Sequence, residues 1–155
     1  MSGKERVLYE FKRKPDASGP YGNLIVFNGK LYGGTLAGGK YDSGAFFEVS
    51  TSGNEERVLH SFTFKDGQGV NGLIVLGGKI YGTTGGGGPS DGGTLFEMST
   101  SGGEHRLHTF KQYSWPVGEL VALHGGLYGV TEDGGSRTCG AIDAYACGTV
   151  FEFTP

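Results

Sequence analysis

A five-residue pattern occurs three times in the chain and constrains its fold more than any other feature. It reads LYGGT at Leu31–Thr35, IYGTT at Ile80–Thr84 and LYGVT at Leu127–Thr131. The tyrosines of the three copies are 49 and then 47 residues apart, a period typical of repeats that form four-stranded propeller blades. The 155 residues are therefore predicted to form a single domain, residues 1–155, built from three similar units.

Each unit contains four short runs of β-branched and aromatic residues, which we call strands a to d. In the first unit these runs are Asn23–Phe27, Lys30–Thr35, Ala45–Thr51 and Glu56–Phe62. The turns between them, such as Asn28-Gly29, are typical of β-hairpins. Glycine supplies 32 of the 155 residues, and its regular recurrence indicates turns instead of disorder. The sequence predicts an all-β fold with repeats at about 20–63, 70–110 and 117–155.

The phase of the strands predicts how the units assemble. The chain opens with SGKERVLYEF, which matches strand d, and closes with TVFEFTP, which matches strand c. Three blades cannot close a ring, because propellers typically contain four to eight. We therefore expect a six-bladed β-propeller formed by a head-to-tail homodimer. In it, residues 5–11 complete the third blade of the other chain, and Arg6 faces Glu152 of that chain.

The repeat pattern also resembles a known family. The run LYGTT…GG…GTVF, followed by a Ser-Gly turn, is similar to the Gloeo-Verruco tandem repeat, a glycine-rich repeat of bacterial proteins. The nearest segments here are IYGTT at Ile80–Thr84 and CGTVF at Cys147–Phe151. The resemblance implies a propeller, usually within longer secreted proteins, and no shared activity. The blade layout is kelch-like by analogy.

Residues that recur in all three units serve the blade, whereas residues that occur once are free to serve function. The recurrent phenylalanines, Phe47, Phe96 and Phe151, are expected to pack between blades. Recurrent charges have a structural explanation as well, because facing opposite charges stabilise a β-hairpin. If each c–d hairpin centres on its Ser-Gly turn, the facing pairs are Glu48 with Arg57 and Glu97 with Arg106.

The singular residues lie mainly in the b–c and d–a connections, which are long, differ between units and share one face of the domain. Loops on a rigid scaffold commonly carry binding sites. Aromatic rings beside carboxylates suit sugars, because a ring covers C–H groups while a carboxylate accepts hydroxyl hydrogen bonds. Alternatively, these aromatic residues pin the loops or fill subunit contacts. The candidate ligand-binding residues are Tyr41, Asp42, Asp91, Tyr113, Trp115, Asp133, Arg137 and Tyr145.

Two cysteines bracket an insertion of eight residues in the third unit. Removing CGAIDAYA restores the spacing of the other two units, and the segment begins at Cys139 and is followed by Cys147. We expect a Cys139–Cys147 disulfide that presents the insertion as a surface loop at the rim of the ligand site. Two reduced thiols or a zinc site are the alternatives.

Two functional hypotheses follow. The first is a binding module, lectin-like or protein-binding, with its site on the variable loops. The second is a propeller hydrolase or lyase with acid/base residues at the channel mouth. The sequence favours the first, because His60, His105, His108 and His124 have no carboxylate or nucleophile at a meaningful spacing.

Motifs and charge limit the kinds of cofactor and partner that the chain is expected to bind. The sequence contains no cofactor motif: the glycine run at 85–88 lacks the Lys-Ser/Thr of a phosphate loop, and no calcium loop occurs. A net charge of −3 argues against nucleic acid, and no apolar run is long enough to span a membrane. The polar start is unlike a signal peptide, so the compartment stays open between the secretion that the resemblance implies and the cytosol.

Overall fold

The computed structural model describes residues 3–12, 14–53, 55–137 and 147–155. Within these ranges the chain forms eleven β-strands and no helix, so the all-β prediction is confirmed. The strands are β1 (Ala17–Phe27), β2 (Lys30–Gly38), β3 (Ala45–Val49), β4 (Glu56–Ser61), β5 (Gln68–Leu76), β6 (Lys79–Gly86), β7 (Thr94–Met98), β8 (Glu104–Thr109), β9 (Pro116–Leu123), β10 (Gly126–Thr131) and β11 (Thr149–Phe153).

Each sequence repeat folds as one antiparallel sheet. The first sheet has the order β1-β2-β3-β4 and the second β5-β6-β7-β8, so neighbouring strands follow chain order. The third sheet has three strands in the described part of the chain, in the order β11-β10-β9. The tandem repeat is therefore a structural repeat as well.

Two-residue turns join the first and second strands of every sheet. They are Asn28-Gly29, Gly77-Gly78 and His124-Gly125, and all six residues have positive φ. That backbone is the type I′ turn, whose twist matches the twist of the two strands that it joins. The turn residues thus explain why each repeat begins with a tight hairpin.

Consecutive sheets pack face to face. On each sheet, we call the surface turned toward the next sheet in chain order the trailing face, and the opposite surface the leading face. The trailing face of the first sheet (Ile25, Tyr32, Phe46) packs on the leading face of the second (Leu73, Phe96, Met98). The trailing face of the second sheet packs in the same way on the leading face of the third, through Tyr81, Leu95, Leu120 and Leu127. These two junctions form the main hydrophobic core.

Residues 3–12 form no strand within the chain and lie against the leading face of the first sheet. The ring centroid of Phe11 is 5.0 Å from that of Phe47. The same contact, at 5.2 and 4.9 Å, joins the consecutive sheets through Phe62–Phe96 and Phe110–Phe151. Residues 3–12 thus take the place that the last strand of a preceding sheet would take. Pairing of residues 5–11 with a second chain stays a prediction.

One of the two predicted charge pairs is present. Glu48 lies opposite Arg57, with Arg57 Nη2 3.2 Å from Glu48 Oε1. The other prediction is wrong, because Glu97 faces His105 and not Arg106. The turn between β7 and β8 is one residue shorter than the turn between β3 and β4, and this shifts every cross-strand pair by one residue.

Candidate functional site

The longer connections of the three sheets meet at one end of the domain and are joined by backbone hydrogen bonds. Gly69 N–H donates to the Ser43 carbonyl at 2.9 Å, and Trp115 N–H donates to the Gly92 carbonyl at 3.2 Å. We call this end the loop face; its described residues are 39–44, 62–67, 87–93, 110–115 and 132–137. The loops therefore brace one another on the sheets.

Tyr113 and Trp115 form an aromatic pair on the loop face. Their ring centroids are 5.7 Å apart, and the planes meet at 74°, an edge-to-face arrangement. Tyr113 is 56% exposed and Trp115 is half-buried, so the pair presents apolar surface to solvent. Both residues have positive φ, 63° for Tyr113 and 47° for Trp115.

The backbone position of Trp115 belongs to glycine in the other repeats. In each repeat the residue just before the one paired with the recurrent threonine has positive φ. These residues are Gly19 (63°), Gly69 (67°) and Trp115 (47°). Glycine adopts such angles freely, whereas any other residue pays roughly 1–2 kcal/mol. The third repeat carries an indole ring in spite of that cost.

A groove of about 490 Å³ also lies on the loop face; Tyr113 and Trp115 do not line it, but Gln112, the residue before Tyr113, does. It runs between the loop that follows β6 and the segment that follows β8, and Phe64 forms part of its wall. Phe64 is 50% exposed, and Lys111 and Asp91 add one charge of each sign. Sequence reasoning missed Phe64 and Lys111. The available signal was an aromatic residue just beyond the last strand of the first repeat.

Two predicted site carboxylates brace their own loops. Asp42 Oδ1 accepts a hydrogen bond from Gly38 N–H at 2.9 Å, and Asp91 Oδ1 accepts one from Gly87 N–H at 3.1 Å. Both aspartates have positive φ, 60° and 52°. The equivalent contacts in two repeats indicate a scaffold role, although Asp91 also faces the groove.

The remaining predicted residues lie at different points of the loop face. Tyr41 is 50% exposed, with Lys40 Nζ 5.3 Å from its ring centroid, and its described contacts do not join it to the Tyr113–Trp115 pair. Asp133 is linked to the pair through the backbone, because its N–H donates to the carbonyl of Ser114, the residue between Tyr113 and Trp115, at 3.0 Å. Arg137 is exposed, and its carbonyl accepts the N–H of Cys147 at 2.7 Å.

Cys139 and Tyr145 lie outside the described residues. The Cys139–Cys147 disulfide and the place of Tyr145 at the rim therefore stay predictions.

Two equivalent polar clusters lie at successive junctions, the first between residues 3–12 and the first sheet and the second between the first two sheets, and the sequence analysis missed both. In the first, Tyr9 Oη donates to Asp16 Oδ2 at 2.9 Å. That hydrogen bond, followed by burial and the charge of Asp16, raises the pKa of Tyr9 to about 12. Burial and then the charge of Asp16 raise the pKa of Glu56 to about 7. Glu56 Oε1 is buried and has no hydrogen-bond partner among the described residues.

The second cluster repeats this arrangement one sheet further along. His60 Nε2 is 3.0 Å from Asp66 Oδ2, so the prediction that His60 lacks a carboxylate neighbour is wrong. Burial opposes ionisation of Asp66, but hydrogen bonds from His60 and Thr63 outweigh it and lower the pKa of that carboxyl. Burial and then the charge of Asp66 raise the pKa of Glu104.

The described residues also limit other kinds of site. Among them, no group of three or more His, Cys, Asp or Glu side chains is arranged to hold a metal ion. In the same ranges, no helix has the length and apolar character needed to cross a membrane.

Three stacked antiparallel sheets, one for each sequence repeat, define a tandem-repeat all-β protein that carries its variable loops on one face. The family model of the Gloeobacter/Verrucomicrobia repeat matches residues 1–155, and the chain belongs to this family. Comparison with curated proteins gives no match.

Proposed function

We propose that the chain is a carbohydrate-binding module whose site is the groove and aromatic pair on the loop face. The single observation that carries this proposal is Trp115, an indole ring held at φ 47° where the other repeats have glycine. A strained backbone at one copy of a repeat is a common mark of a functional position. Nothing in the strand pairing of the third sheet requires tryptophan there.

The chemistry of the surrounding residues suits a sugar. Tyr113, Trp115 and Phe64 offer ring faces and edges to C–H groups, and Asp91 and Lys111 lie at the groove to accept and donate hydrogen bonds. Tyr41, Asp133, Arg137 and Tyr145 extend the proposed surface along the loop face. A flat protein partner would use the same aromatic residues without filling the groove, so the two ligand classes can be separated by experiment.

The three sheets are, in this proposal, half of a six-bladed propeller that a second copy completes. The recurrent glutamate supports it: Glu48 and Glu97 accept hydrogen bonds from Lys30 at 2.8 Å and Lys79 at 2.9 Å. Glu152, the third copy, has glycine at the lysine position and is paired with Tyr128 Oη at 2.6 Å. In the proposed ring, Arg6 of a second copy, the repeat equivalent of Arg57, faces Glu152 as Arg57 faces Glu48.

A glycan array followed by calorimetry on the best binders tests the ligand site. Trp115→Gly restores the residue of the other repeats, so the fold is kept while the ring is lost. We expect at least a tenfold loss of affinity, about 1.4 kcal/mol or more.

His124→Gly is the matched control. His124 is also an exposed ring at positive φ, 50°, but it lies in the hairpin turn at the opposite end of the sheets. We expect wild-type affinity for this variant. Equal affinity of Trp115→Gly and wild type would refute the site, and turnover of an arrayed glycan would show an enzyme instead.

A further inference from the structure

Two sheet faces of the chain have no counterpart sheet. On the leading face of the first sheet, Leu24 is 56% exposed, whereas its equivalent in the second sheet, Leu73, is 1% exposed. On the trailing face of the third sheet, Val121 is 62% and Val150 is 79% exposed. Their equivalents in the first sheet are almost fully buried. The chain therefore carries the two halves of one more sheet junction, separated at its two ends.

The leading face of the first sheet retains the space for a missing sheet. A cavity of about 380 Å³ lies between residues 3–12 and this face, lined by Leu24, Gly33 and Phe47. At the junction of the first two sheets, the corresponding space is filled by Ile25, Tyr32 and Phe46. Only the last strand of the absent sheet has an equivalent here, and residues 3–12 supply it.

We propose that the trailing face of the third sheet of a second copy fills this cavity, with Val121, Tyr128 and Val150 seated on Leu24, Gly33 and Phe47. The proposal rests on the ring proposed above. A second copy is the occupant that the observations favour, because its three residues occupy the positions that fill the other two junctions. The open edge of β11 would then lie beside residues 7–11, which pair with no strand of their own chain.

The two equivalent polar clusters described above supply a second, independent argument. Tyr9, Asp16 and Glu56 form the first, and His60, Asp66 and Glu104 form the second. In the third repeat, His108 takes the place of Tyr9 and His60, and Ser114 takes the place of Asp16 and Asp66. The glutamate of this cluster belongs to the last strand of the third sheet, and Glu5 is its repeat equivalent.

In the proposed junction, Glu5 of a second copy therefore lies beside His108. Serine occupies position 114, so the aspartate that accompanies Glu56 and Glu104 in the other two clusters has no repeat equivalent here. This contact between copies pairs the Glu5 carboxyl with the His108 ring. Residues 3–12 are then held on one side by the first sheet of their own chain and on the other by the second copy.

Light scattering coupled to size-exclusion chromatography tests the junction on the complete chain at micromolar concentration. We expect a mass of twice 16.3 kDa. Val150→Arg is expected to give 16.3 kDa, because the guanidinium cannot enter the apolar cavity, while an unchanged circular dichroism spectrum reports an intact chain. Ser101→Arg places the same charge at an exposed residue of the turn between β7 and β8, in the sheet whose two faces are both packed within the chain, and is expected to stay dimeric.

A charge exchange separates the specific contact from general damage. Glu5→Arg and His108→Glu should each raise the dissociation constant of the dimer about tenfold, and the double variant should restore it. Glu10→Arg, an exposed glutamate in the same segment, is the matched control.

A wild-type mass of 16.3 kDa, or a Val150→Arg variant as dimeric as the wild type, would overturn the junction. Glycan binding measured on the same samples keeps the two proposals apart. A monomer that binds glycan through Trp115 overturns the junction alone, and a dimer that binds none of the glycans overturns the ligand site alone.

Discussion

Gly82→Ala tests how tightly the first two sheets are packed. Gly82 lies in the middle of β6, and its φ is not in the left-handed region, so the backbone itself accepts alanine. A Cβ atom at this position would lie 2.5 Å from Phe96 Cζ and 2.7 Å from Leu73 Cδ2. Both side chains are buried in the junction, at 0% and 1% exposure, so neither can move aside into solvent.

The expected cost follows from two opposing effects. Adding a methyl group to a close-packed core typically costs about 1–3 kcal/mol. The loss of glycine freedom in the unfolded chain returns about 0.4–1 kcal/mol. The net destabilisation therefore lies between about 0 and 2.6 kcal/mol and is centred near 1.3 kcal/mol. The central value corresponds to a decrease in Tm of roughly 3–5 °C for a domain of this size.

Two further variants calibrate the measurement. Gly129→Ala makes the equivalent change in the third sheet, where the added Cβ is 2.5 Å from Phe151 Cζ, but Phe151 is only half-buried and can shift. Gly103→Ala is the control, because its added Cβ meets only the flexible Ser99 hydroxyl, at 3.1 Å. Urea unfolding followed by circular dichroism should rank stability as Gly103→Ala, then Gly129→Ala, then Gly82→Ala. A Gly82→Ala protein as stable as the wild type would refute the packing argument.

Two other predictions concern ionisation and redox state. Because the folded chain raises the pKa of Glu56 to about 7, the stability that its neutral form provides is complete below about pH 4.5 and is lost as the pH rises through 7. Glu56→Gln should therefore gain stability relative to the wild type between about pH 5 and about pH 8 in urea unfolding, and parallel curves for the two proteins would contradict this. Alkylation of the unreduced, denatured protein should add no alkyl group to Cys139 or Cys147 by intact mass, and two added groups would show free thiols.

The strands could be predicted from the sequence because the patterns that define them, turn residues and alternating apolar residues, are local. Asn28-Gly29 can form a type I′ turn without help from the rest of the chain, and alternating apolar residues then define the strands on either side. The threefold repetition gave three independent readings of the same pattern. The short a–b and c–d turns predicted two of the strand pairs, whereas the pairing of strand b with strand c across a longer connection followed from the four-strand repeat.

Features that depend on loop length or on neighbouring repeats were not readable in the same way. Arg106 was misplaced because a turn shorter by one residue changes the pairing without changing the composition of the strand. The His60–Asp66 contact crosses a d–a connection whose path the sequence does not define. Trp115 was selected as an exposed aromatic residue, but its left-handed backbone emerges only when strand pairing aligns it with Gly19 and Gly69.

The place of residues 3–12 has a consequence for synthesis. These residues leave the ribosome before the sheet on which they lie, so Phe11 is already available when Phe47 emerges. Residues 3–12 can then cover part of the leading face of the first sheet before the second repeat has been translated. The growing chain therefore exposes less apolar surface that could aggregate. Of the described strands, β11 is synthesised after all the others, so its open edge is exposed only when the three sheets beside it have been synthesised.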